Sequence, residues 1–189
     1  MVSRLVLLAG LFTAMCGAPD PAPDGRLRAH IAEDTVLLLP AAPAYPETRT
    51  FSQVVRARYG EHDAVFESVL SLSPEQATIV ITILGGPRLA TLHWDESGIR
   101  EERTLLAPGG VPVENILADI FLVQWPADVV AEALPEGVEL VVGAEGGRVI
   151  RRGDTVLVEI ARDPSDARRT VVRNLAFGYE VTLISQDAE

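Results

Sequence analysis

The sequence predicts a mainly β protein with a helical insert: a curved antiparallel half-barrel sheet of about nine or ten strands, its concave side closed by a two-helix plug. Two observations predict it. Short runs of alternating apolar and polar residues, separated by Gly-, Pro- or Asp-containing turns, follow one another over residues 50–106 and again over 138–184. Between them the period changes: Val113, Ile116, Leu117, Ile120 and Val123 recur at three- and four-residue steps, which gives one helix an apolar face that a sheet must cover.

The chain opens on an address. Residues 1–15 hold one cation, Arg4, then the apolar run 5–12 and small residues. This segment is too short to span a bilayer and is built like a secretory signal peptide. Cys16 is the only cysteine, so it has no internal disulfide partner, and it stands where a bacterial lipoprotein signal keeps its acceptor thiol. Acylation of Cys16 would anchor the chain, because each buried methylene adds roughly 0.8 kcal/mol. Thr13-Ala14-Met15 is an imperfect lipobox; an ordinary secretory cut nearby is the other reading, although Pro19 is a poor neighbour for it. Residues 16–30 read as a lipidated cysteine and a flexible tether, Pro-, Ala- and Asp-rich as far as Gly25, and residues 31–189 as a single domain.

All 16 cationic side chains are arginine and stand against 27 acids, a net charge of −11. That balance argues against nucleic acid and against a polybasic membrane patch. The charge is also unevenly spread, with seven acids and no arginine in 113–147 and seven arginines in 148–173. These are either solvated faces or partners of one another.

Residues 31–39 form a short apolar segment expected to pack along the side of the domain. A strand over 51–59 follows, then the turn Gly60-Glu61-His62-Asp63, then 64–72 with Phe66, Leu70 and Leu72 on one side. Residues 76–84 show the cleanest period of two, with Ala77, Ile79, Ile81 and Ile83 opposite Thr78, Val80 and Thr82. Leu84 is out of phase with that face. The turn Gly85-Gly86-Pro87 leads to a strand over 88–95, Glu96-Ser97-Gly98 to one over 99–106, and Pro108-Gly109-Gly110 closes the meander. Trp125-Pro126 ends the first helix, Pro126 opens a second that runs to Leu134, and Pro135-Glu136-Gly137 stops it. Strands then resume over 138–142, 148–151, 155–162 and 170–184, the last with Leu175, Phe177, Tyr179, Val181 and Leu183 on one face.

Catalytic and metal chemistry find no footing. His30, His62 and His93 are far apart and unpaired by spacing, so zinc lacks ligands. No serine lies in a G-x-S-x-G turn, and Gly143-Ala144-Glu145-Gly146-Gly147 lacks the lysine of a phosphate loop and reads as a hairpin turn. Asp119, on a mainly apolar helix, is either exposed or hydrogen-bonded at the sheet; an acid-base role would need a partner carboxylate. No catalytic residue, metal or cofactor is therefore assigned.

Leu117-Ala118-Asp119-Ile120 with Gln124-Trp125-Pro126, after the Leu84-Gly85 turn and before Gly178-Tyr179 in the last strand, resembles an uncharacterised family of bacterial lipoproteins encoded beside aryl-polyene and fatty-acid-like synthesis genes. The resemblance covers most of the chain after the leader. More distantly, the layout is similar to the periplasmic lipoprotein carriers LolA and LolB, with Leu84-Gly85-Gly86-Pro87-Arg88-Leu89 matching the Leu-Gly-x-x-x-Leu turn of the outer-membrane member. This resemblance implies a LolA/LolB-like half-barrel that holds acyl chains, a lipid-anchored location in the bacterial envelope at the outer membrane facing the periplasm, and contact of Leu84 with the bilayer. From the residues alone, Leu84 is equally an ordinary exposed leucine.

The expected function is non-catalytic: binding of acyl or polyene lipid, or of a lipoprotein's acyl chains, in a concave cavity, for transport or localisation to the outer membrane. The ligand is then a lipid or an acylated protein, the membrane is reached through the anchor, nucleic acid is excluded, and no protein partner is named. The alternative is a structural or assembly partner in a lipid-synthesis or envelope complex, with a filled core. Residues expected to line the cavity are Phe66, Leu70, Ile79, Ile81 and Ile83 from the early strands, with Leu92 and Trp94 from the next. From the helix come Ile116, Ile120 and Val123, with Trp125 at the rim, and from the later strands Val158, Phe177, Tyr179 and Val181.

Overall fold

The computed structural model describes residues 26–105, 113–143 and 145–187. Cys16, the leader, the tether as far as residue 25 and the Pro108-Gly109-Gly110 turn lie outside them. The first element is a hairpin of β1 (Arg28–Ala32) and β2 (Thr35–Leu38). Alternation makes it, since Ala29, Ile31 and Leu37 are buried while Arg28 and His30 are exposed. It begins inside the stretch read as tether, and it replaces the single side-packing segment expected at 31–39. Glu33-Asp34, an acidic pair between two apolar runs, is the turn that the reading passed over.

A five-strand meander follows: β3 (Arg49–Tyr59), β4 (His62–Leu72), β5 (Ala77–Ile83), β6 (Arg88–Asp95) and β7 (Gly98–Arg103), each antiparallel to the last. Two helices interrupt, α1 (Val113–Gln124) and α2 (Ala127–Ala133), and then come β8 (Val138–Val142), β9 (Arg148–Arg152), β10 (Thr155–Asp163), β11 (Asp166–Asn174) and β12 (Tyr179–Asp187). Because β12 pairs back onto β3, the ten strands make one antiparallel sheet in the order β7-β6-β5-β4-β3-β12-β11-β10-β9-β8. The edges β7 and β8 do not meet, so the sheet stays open, consistent with a half-barrel. Register puts one set of side chains on a common face: Val55 lies opposite Phe66 on one side and Leu183 on the other, and Leu70 lies opposite Phe51 and Ile79.

The single long strand expected over 170–184 is two strands. Asn174 stops the first by accepting a hydrogen bond from the Phe177 N–H on its side-chain oxygen at 2.8 Å, while the Gly178 N–H donates to the Asn174 carbonyl at 2.9 Å. Gly178 takes the left-handed conformation at φ +69°, which most side chains resist. Odd-numbered apolar residues continue in phase across the turn, and that hid it.

The two helices sit on the sheet's buried face, and the β1–β2 hairpin packs on α1 and β10. α1 buries Val113, Leu117, Ala118, Phe121, Leu122 and Val123. Ile116 and Ile120 are only half-buried, so the face against the core is rotated from the expected one. A helix with neighbours on more than one side has no single apolar stripe. Its last turn holds no basic residue, and the open carbonyls are met from the sheet: Arg148 of β9 donates to the carbonyls of Leu122 and Trp125. Arg148 thus meets the acidic segment through its backbone, and among the described residues the ion pair between the two segments is Arg151–Glu139, exposed at 3.1 Å.

Trp125 anchors the core. It stacks on Trp94 at 5.5 Å, meets Tyr45 edge-on at 5.2 Å and Phe121 at 5.3 Å, and its Nε1 donates to the Pro43 carbonyl at 2.6 Å. All of this lies where β3 begins and α1 ends.

Candidate functional site

Strand directions bring three turns to the other end of the sheet: residues 60–61 between β3 and β4, 84–87 between β5 and β6, and 175–178 between β11 and β12. The N-terminus of α1 points to the same end. There the described residues leave the space between sheet and helix open. Where Phe51, Trp94, Phe121 and Trp125 pack one end, the inward positions toward the turns are Ala57, Ala64 and Ala90, with Ala57 directly opposite Ala64. Small side chains on a curved face leave a void. The result is an open cavity of about 920 Å³, within the range of small-molecule sites.

Its wall is mainly apolar: Val55 and Phe66 from β3 and β4, Ile79 and Ile81 from β5, Leu89 from β6, Ile116 and Ile120 from α1, Val172 from β11, and Val181 and Leu183 from β12, with Phe177 from the last turn. Arg58, Tyr59, His62 and Asp63 flank the mouth beside the 60–61 turn, and Glu101 and Arg103 line it from the edge strand β7. Arg58 pairs with Asp63 at 3.2 Å and Arg103 with Glu101, both exposed enough that solvent weakens them. Gln53 and Ser68, opposite one another in register, are the buried polar residues deeper on the concave face; Gln53 donates to the Ser185 hydroxyl at 2.9 Å.

One polar chain crosses the apolar wall. The Asn174 amide donates to the Ile31 carbonyl at 3.0 Å and lies 3.5 Å from the Tyr179 hydroxyl; that hydroxyl donates to Asp119 Oδ1 at 2.8 Å. Asp119 and Asn115, one turn apart on α1, both open on the cavity. Enclosure of the carboxyl by protein pushes it up to about 7, only partly offset by the bond from Tyr179. Burial and the neighbouring carboxylate also drive the Tyr179 hydroxyl upward, so it stays a donor. Such a pair can hold a hydrogen-bonding group within an oily pocket. Among the described residues no three His, Cys, Asp or Glu side chains gather as a metal would require, and no helix is long and apolar enough to cross a membrane.

A family model described as a protein of unknown function, DUF3261, matches residues 50–187, from the first strand of the ten-stranded sheet to the last. The chain belongs to that family. None of the curated proteins matches it. The DUF3261 match takes in the whole cavity wall and leaves the β1–β2 hairpin outside.

Of the residues expected along the cavity, the DUF3261 fold brings together Phe66, Ile79, Ile81, Ile116, Ile120, Phe177, Tyr179 and Val181. The others lie elsewhere. Leu70, Leu92 and Trp94 are in phase with the wall but sit toward the packed end, whereas Val158 is level with Asn174 in register, on the strand that the β1–β2 hairpin packs against; each is no more than 2% exposed. Val123 is buried beside them. Trp125, expected at the rim, is 1% exposed at the centre of the aromatic cluster, because its ring turns inward to Pro43 and Trp94. Ile83 points the way of Ile81 but, as the last residue of β5, runs past the wall and is 42% exposed. Leu84 is 52% exposed in the following turn. Asp119 is hydrogen-bonded at the sheet, one of the two readings left open for it. The sequence reading missed Asn174, Asn115 and the three alanines; a polar residue in phase with inward apolar ones was the available signal for the first.

Proposed function

We propose that this chain is a non-catalytic, lipid-anchored envelope protein that carries an acyl or polyene-type chain in the cavity between its sheet and α1. The observation that supports this reading is the 920 Å³ opening itself. A core filled to normal density, as a purely structural partner would have, leaves no such space. An apolar chain needs only shape and oily lining, since each Å² taken from water contributes about 25 cal/mol. The layout, an open antiparallel sheet with helices on its concave side, is also what a LolA/LolB-like carrier would need.

The same reading gives the turn end of the molecule a role at the membrane. Tyr59 and Ile83, the last residues of β3 and β5, and Leu84 and Leu175, in the turns after β5 and β11, are exposed at this end. With Cys16 acylated, the stretch from it to β1 reaches at most roughly 40 Å when extended, enough for that end to meet the outer membrane's periplasmic leaflet. Leu84 would enter the lipid as cargo is passed. Mass spectrometry of lipids that co-purify with the protein, gently extracted from its native envelope, tests the reading. A stoichiometric acyl or polyene species is expected; an empty cavity that also fails to take up N-phenyl-1-naphthylamine, a neutral apolar dye, would leave the filled-core assembly role in its place.

A further inference from the structure

Within that reading, on which this inference rests, the cavity wall carries information about the ligand's head group. Tyr179 occupies one oxygen of Asp119, and Asn174 holds Tyr179 from behind. Among the described residues the second oxygen, Oδ2, has no partner, and the amide of Asn115 one turn earlier has none either. Both side chains line the cavity. The cavity opens on this oxygen, so water can meet it, and a ligand that displaces that water must donate a hydrogen bond in its place or leave the acceptor unpaired. By register Tyr179 is opposite Tyr59, which places the pair at the mouth end, where the head of an inserted chain would lie. Among the described residues, the two arginines that line the cavity, Arg58 and Arg103, are each paired with a carboxylate, Asp63 and Glu101, which offsets part of the charge they could offer an anion.

We infer that the cavity selects an amphiphile whose head group donates a hydrogen bond and bears no negative charge, such as a hydroxyl-terminated acyl chain, seated against Asp119 Oδ2 and Asn115. An anionic head of equal chain length is repelled by the ionised carboxylate, which water screens less in the cavity than in bulk solution. At pH 8, above the value of about 7 to which burial raises Asp119, the ionised form of the carboxyl is favoured.

The test uses the full chain loaded with N-phenyl-1-naphthylamine at pH 8 and displaces the dye with 1-dodecanol or with dodecyl sulfate below its micelle concentration. Dodecanol is expected to displace at a concentration roughly tenfold lower. Asp119→Asn keeps the shape, still accepts from Tyr179, and turns an N–H toward the cavity; it should bring the two displacers to within about twofold. Asn115→Asp, which adds a second carboxylate to the same wall, should widen the gap instead. Equal displacement by the two amphiphiles, or a ratio that neither variant moves, overturns the head-group inference while the cavity reading stands. Failure of the wild-type chain to bind the dye overturns both.

Discussion

Asp119 gives stability a pH dependence of unusual sign for a carboxylate. A carboxyl held above its unfolded value of 3.8 binds its proton more tightly when folded, so its stabilising effect is fully present below that value and is lost as pH rises through about 7. At about 1.4 kcal/mol per pH unit the ceiling on this loss is on the order of 4 kcal/mol, and water in an open cavity lowers it. The exposed Asp34, Asp95, Asp163 and Asp166 act the other way: their hydrogen-bond and arginine partners hold them below 3.8, Asp163 at about 2, so their contribution fades only as pH falls through that lower range. Melting temperature should therefore fall between pH 4.5 and 8 in the wild type and stay nearly level in Asp119→Asn. A parallel fall in both proteins would show that Asp119 is not the source. Trp125→Ala removes the ring shared by Trp94, Tyr45 and Phe121 and should cost about 3–5 kcal/mol in urea unfolding. Ile120→Ala, on the cavity wall, leaves little new void and should cost under about 2 kcal/mol while weakening dye retention.

At the scale of elements, the test of α1 is its missing cap. Arg148→Ala leaves the Leu122 and Trp125 carbonyls without their donor at a helix end with no base of its own, and should destabilise by about 1–3 kcal/mol. Arg173→Ala breaks only an exposed pair with Glu180 and should stay within about 0.5 kcal/mol. Urea midpoints for the two variants would check the contrast. Elements whose period stands alone were legible in the sequence: β5 and β6 fall within a residue of the reading, and α1 starts and stops where Val113 and Trp125-Pro126 suggest. The β11–β12 turn was not, because Leu175 and Phe177 keep the parity of the strand that follows. Nor was the helix face that meets the core, since period alone cannot tell a helix covered by one layer from one covered by two. The cavity was legible only as an expectation of concavity. What makes it is the absence of side chain at Ala57, Ala64 and Ala90, which alternation counts as ordinary inward residues, and the Asp119–Tyr179 bond joins positions 60 residues apart.

The whole molecule presents one end to a membrane in the proposed function, and two substitutions separate anchoring from contact. Cys16→Ala should move the protein from the membrane fraction to the soluble periplasm without changing its fold, whereas unchanged partition would remove the anchor from the proposal. Leu84 poses the sharper question. It lies in the turn after β5 beside exposed Ile83, on a tight bend in which Gly85 is left-handed at φ +64° and the Gly86 N–H donates to the Ile83 carbonyl at 2.7 Å. Its side chain is far from the aromatic core, so charge there should change stability by under about 0.5 kcal/mol. Entry of the same charge into hydrocarbon costs several kcal/mol. The net charge of −11 already disfavours loose adsorption to an anionic surface, which leaves apolar contacts at the rim to carry any approach to lipid. Leu84→Glu should then keep the wild-type melting temperature and dye affinity but slow transfer of a fluorescent acyl chain from protein to liposomes by tenfold or more, roughly what a loss above 1.4 kcal/mol at the encounter predicts. Transfer at the wild-type rate would make Leu84 an exposed leucine and nothing else, and would place delivery at another part of the surface.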